Sequence, residues 1–97
     1  MKVDDAKIEQ EILRQISNAF SVAPRDVAVA IAPDGQDWRS FLPRIKAISF
    51  RLHGEGRLIL LRKRRSVSPD TLKGVYRLAL PDSERERQKE IWLSDKN

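Results

Sequence analysis

Apolar residues recur near the start of the chain at Ile8, Ile12, Leu13, Ile16, Ala19 and Phe20, a spacing that lays one stripe along an α-helix. The pattern predicts a first helix over residues 4–20, with Asp4 or Asp5 able to cap its start. Ser21-Val22-Ala23 is long enough only for a bridging strand. Pro24 suits the first position of a second helix, where its missing N–H costs nothing, and Asp26 falls near that helix's positive end. Val27, Ala28 and Ile31 form the predicted buried face. Pro33-Asp34-Gly35 then stops the helix, and Asp37 can cap a third that begins at Trp38.

In helix three, Trp38, Phe41, Leu42, Ile45, Ile48 and Leu52 share one side at about 100° per residue, while Arg39, Arg44, Lys46 and Arg51 fall on the other side or its borders. Pro43 lacks a donor and disfavours helical geometry at Leu42, so a kink or a fresh start is expected there, with 43–53 the firmer helix. Phe50 turns away from the stripe, toward Arg39 and Lys46, and fits either a place beneath the hairpin or a contact surface. Gly54 and Gly56 allow positive φ at the helix end. A strand is expected from Arg57 to Lys63, buried on both sides around Leu58-Ile59-Leu60-Leu61, and a second from Gly74 to Leu80, the two forming a hairpin. Their connection holds Ser68-Pro69-Asp70-Thr71, where serine caps and proline starts a single helical turn, leaving 62–67 as the exposed wing. Beyond Pro81 a charged run with a capping box at Ser83 and Glu86, ending in Ile91-Trp92-Leu93, suggests an appended helix that needs a partner surface to persist.

The 97 residues fit one domain, divided by these patterns into 4–80 and a charged C-terminal helical extension over 81–97. Forty per cent hydrophobic and 34% charged residues indicate a folded chain. No cysteine is present, which excludes disulfides and thiolate chemistry and makes a cytoplasmic setting the expectation. No apolar run approaches the ~20 residues of a membrane span, and Met1 to Asp5 carry no signal-like segment. Charge is uneven: residues 38 to 65 hold nine cations against Glu55 alone, while the remainder carries −3 of the overall +5.

Three helices followed by a β-hairpin, with a short turn between helices two and three, is the element order of a winged helix-turn-helix, an α+β fold. The segments Pro24-Arg25-Asp26-Val27-Ala28, Asp37-Trp38-Arg39-Ser40-Phe41-Leu42-Pro43-Arg44-Ile45-Lys46, Gly56-Arg57-Leu58, Val67-Ser68-Pro69 and Gly74-Val75-Tyr76-Arg77-Leu78 resemble the bacterial family called domain of unknown function 3253. The likeness covers residues 6 to 80, and the Asp-Trp-Arg to Pro-Arg block is its most specific part. It implies a winged-helix-like fold and bacterial origin, and no biochemical role.

The chemistry expected of the surface is electrostatic. Arg39, Arg44, Lys46 and Arg51 on helix three, with Arg62, Lys63, Arg64 and Arg65 on the wing, suit a helix in a nucleic-acid groove and cations on phosphates. DNA is expected ahead of RNA, and docking on an acidic protein is the alternative. A homodimer through the C-terminal helix is a further expectation, with no membrane and no cofactor. Trp38, at the head of the apolar stripe, reads as a core anchor. His53 is the only histidine, so a histidine metal pair is excluded, and its place suits a helix end. Gly54-Glu55-Gly56 follows a helix, the reverse of a phosphate-cradling order. Ser66 and Ser68 have no nearby base, and Asp34 and Asp37 are explained by turn and cap. No enzyme signature survives.

Overall fold

The computed structural model describes residues 3–63, 65–72 and 74–81. Helix α1 spans Asp5–Asn18, and Asp4 is its cap, its carboxylate accepting from the Lys7 N–H at 2.9 Å. Ile8, Ile12 and Ile16 are fully buried, each worth about 1.5–3 kcal/mol of transfer free energy. The helix ends two residues before the predicted boundary. Ser17 Oγ donates to the Leu13 carbonyl and Asn18 Nδ2 to the Arg14 carbonyl, so side chains satisfy acceptors of the last turn. Ala19 is extended, and Phe20, expected on the stripe, is turned out to 61% exposure.

Val22 forms the expected bridge, exchanging backbone hydrogen bonds of 2.8 and 2.7 Å with Leu78. Helix α2 (Pro24–Ile31) follows, and Asp26 reaches back to accept from the Ala23 N–H at 3.2 Å. Val27, Ala28 and Ile31 are buried as expected. Asp37 caps a short 3-10 helix, Trp38–Phe41, and α3 (Leu42–Gly54) starts afresh behind it. Leu42 nevertheless keeps helical dihedrals, φ −58° and ψ −43°. A helical residue ahead of proline is disfavoured but tolerated here, where the 3-10 turn carries the chain into the new helix. Phe41, Ile45, Ile48 and Leu52 enter the core, and Gly56 supplies the positive φ, +76°, that ends the segment. Ser49 is also wholly buried, and its hydroxyl has no hydrogen-bond partner among the described residues.

The sheet corrects the two-strand expectation. Strand β1 (Ile59–Arg62) lies between β2 (Arg65–Val67) and β3 (Arg77–Ala79), antiparallel to both. The wing folds back at once: Arg62 pairs with Arg65 across a two-residue connection in which Lys63 has φ +52°, as tight hairpin turns demand. Ser68 caps the expected helical turn, a 3-10 helix over Pro69–Thr71. The second predicted strand shortens to three residues, and Val75 within its predicted range is 85% exposed. Leu60 pairs with both Val67 and Leu78, so these three share the face that closes the core against α1, α2 and α3. Leu61 and Ala79, on the opposite face, are buried too. The C-terminal helical extension, with its proposed dimer contact, lies outside the described residues.

Candidate nucleic-acid interface

The cations of α3 divide into two groups. Arg44 and Arg51 face α1, whose acidic residues Asp5 and Glu9 stand one turn apart along the same side. Arg44 donates to Asp5 at 2.8 and 3.2 Å, while Arg51 donates to Glu9 at 2.7 Å and Glu55 at 3.0 Å. Arg57 lies 3.5 Å from Glu9 and 3.7 Å from Glu55. The hydrogen bond that Arg51 donates to Glu9 raises the pKa of Arg51 above its ordinary value. Exposed pairs of this kind add little stability, but they leave this flank of α3 close to neutral.

Arg39 and Lys46 belong to the other group. The Arg39 guanidinium lies 4.6 Å from the centre of the Trp38 ring and that of Arg25 lies 5.4 Å from it. Arg39 also reaches Asp37 at 3.4 Å. Lys46 stands 5.7 Å over the ring of Phe50, which is half-buried against the core. Trp38 is therefore both a core-packed side chain, as its sequence position suggests, and a platform for two cations.

Between these helices and the sheet runs an open groove of about 790 Å³. Its apolar lining comes from Ala23 and Pro24 at the start of α2, from Trp38, Leu42 and Pro43 around the start of α3, and from Gly74, Val75 and Tyr76 ahead of β3. Arg25, Lys46 and Arg77 stand among them, and no carboxylate lines the groove among the described residues. Pro24 and Pro43 lie in the first turns of α2 and α3; with no N–H to present, they keep these helix starts apolar on the groove side. Arg77 is anchored by hydrogen bonds to Ser21 Oγ (2.7 Å) and the Ser21 carbonyl (3.1 Å).

A second depression of about 250 Å³ adjoins the groove, sharing Val75, Tyr76 and Arg77 with it and adding Leu61, Arg62 and Lys63 from the hairpin. Arg62 approaches Gly74 so closely that a Cβ there would meet its guanidinium at 2.6 Å, and Gly74 itself has φ +80°. Arg65 is exposed beside Arg62, directly across the strand pair, and like charges so placed repel. Of the eight residues singled out by sequence, Lys46, Arg62 and Lys63 thus line these two depressions, with Arg65 beside Arg62, while Arg39, over the Trp38 ring, belongs to neither lining. Arg44 and Arg51 do not join them, and Arg64 lies outside the described residues. Arg25, Arg77 and Tyr76 were missed. Their sequence neighbours mark a helix start and a strand, but nothing in the spacing shows that the two elements meet.

Burial raises the Tyr76 phenol above its ordinary pKa of 10.0, because the half-buried site solvates phenolate poorly. A raised folded-state value means that the stabilising contribution is complete below the unfolded pKa and fades as pH rises through the folded one. Tyr76 is the only tyrosine, so phenolate absorbance reports it alone. The titration midpoint should lie above that of the urea-unfolded chain; coincident midpoints would refute the buried setting.

Three helices followed by a three-stranded antiparallel sheet define an α+β domain, compatible with a winged-helix-like fold in which the β1–β2 hairpin is the wing. Residues 5–81 match the model of the family described as "Protein of unknown function (DUF3253)", and the chain belongs to that family. The comparison with curated proteins gave no match. Among the described residues no group of three or more His, Cys, Asp or Glu could hold a metal ion, and no helix is long and apolar enough to cross a membrane.

Proposed function

We propose that this domain is a non-enzymatic nucleic-acid-binding module whose contact surface runs from the start of α3, along the groove, to the hairpin tip. The observation that carries the reading is that two depressions sharing Val75, Tyr76 and Arg77 are bordered by Arg25, Lys46, Arg77, Arg62 and Lys63 with no carboxylate in either lining among the described residues. Among the described residues these cations have no acidic partner, so their like charges repel one another, and an anionic backbone relieves that repulsion. Lys46, Arg62, Lys63, Arg65 and Arg77 are the candidate phosphate contacts, with DNA as the expected ligand.

Titration of duplex DNA of random sequence at several salt concentrations tests this. Five neutralised phosphates give a slope of log affinity against log salt of about −4 to −5. Absence of binding at low salt sinks the reading. The apolar lining of the groove gives a docking site for an acidic protein as the second reading, which predicts partner capture that survives nuclease treatment.

A further inference from the structure

We propose that the groove between the starts of α2 and α3 and the Gly74–Tyr76 wall takes an unpaired base, so that the domain prefers single-stranded to duplex nucleic acid. This rests on the nucleic-acid reading above and says what the groove adds to it. In a duplex, base faces are covered by their neighbours and only base edges point into the grooves. The apolar part of the lining, built from Pro24, Leu42, Pro43 and Val75, offers no side-chain hydrogen-bonding groups to such edges. It does suit the flat face of a base freed from its stack, as aromatic and apolar platforms do in single-strand binding.

The cations complete the fit. Arg25 lines the groove while its guanidinium lies over Trp38, so the indole and the guanidinium together extend the surface on which a base can stack. Lys46 and Arg77, which also line the groove, would meet the phosphates flanking the inserted nucleotide. An extended peptide is the less suitable occupant. It would need backbone partners along the wall, and the outer rim of β3 is already engaged where Leu78 exchanges both hydrogen bonds with Val22.

The test compares a short oligothymidylate with a duplex of equal length, using the full chain and Val75→Asp. Val75 lines the groove yet is 85% exposed, so the substitution puts a carboxylate into the site with little burden on folding; an unchanged melting curve verifies this. The single strand should bind about tenfold more tightly than the duplex, the effect expected from stacking one base. Val75→Asp should remove that preference while duplex affinity changes far less. In a Trp92→Phe background, Trp38 emission should change more on adding oligothymidylate than on adding duplex.

Equal affinity for the two ligands, or a preference that Val75→Asp leaves intact, overturns the groove proposal while salt-dependent duplex binding still upholds the broader reading. Failure of both ligands to bind overturns both. A synthetic acidic peptide with aromatic residues serves as the control occupant. If it binds in a Val75→Asp-sensitive manner while oligothymidylate does not, the groove belongs to a protein partner and the proposal fails.

Discussion

Truncating Leu78 to alanine is expected to cost about 2–5 kcal/mol, the range for emptying a fully buried leucine site. Leu78 is wholly buried, its strand position pairs with Leu60, and its backbone holds Val22 by two hydrogen bonds. The cavity would open at the seam between helices and sheet, where neighbours are fixed from two directions and cannot close in. Small domains are stable by only about 5–15 kcal/mol, so a large share of the total is at stake. Urea unfolding of this variant beside Val75→Ala would check it. The exposed Val75 site should shift stability by less than about 0.5 kcal/mol, and a loss at Leu78 below about 1 kcal/mol would contradict the packing described.

The second large effect concerns binding and separates the two faces of α3. Lys46→Gln with Lys63→Gln and Arg44→Gln with Arg51→Gln each remove two positive charges, so their long-range effects on an incoming polyanion are matched. Lys46 borders the groove and Lys63 the adjoining depression, whereas Arg44 and Arg51 are paired with Asp5, Glu9 and Glu55. The lysine pair should weaken duplex binding roughly a hundredfold at low salt and flatten the salt slope by about two units. The arginine pair should leave the slope nearly unchanged. Equal losses would mean that the domain attracts nucleic acid through net charge alone.

Much of the fold was legible because its signals are local. The isoleucines of α1, the prolines that open α2 and α3, and the caps at Asp4, Asp37 and Ser68 each act within a turn or two of chain, and the structure uses each of them as the spacing suggests. Strand β2 was not legible. Arg65-Ser66-Val67 has too little apolar content to announce a strand, and it exists because β1 offers a ladder immediately before it. The site divides in the same way. A helical wheel separates the cations of α3 from its core stripe, but it cannot show that Asp5 and Glu9 lie thirty-nine and forty-two positions away opposite Arg44 and Arg51. Nor can it bring Arg25 and Arg77 to the same groove, since that depends on how α2 and β3 dock.

The short bridge at Val22 has a consequence for self-association. Sheets grow between molecules by adding a strand to an open margin. On the β3 side that margin is occupied at Leu78 by a segment of the same chain, leaving the three residues of β2 as the other margin. Two molecules meeting there would bring Arg65 of each into proximity, along with the neighbouring Arg62 and Lys63, and mutual repulsion would oppose the contact. The charges proposed to meet a polyanion would thus also oppose edge-to-edge polymerisation in concentrated solution.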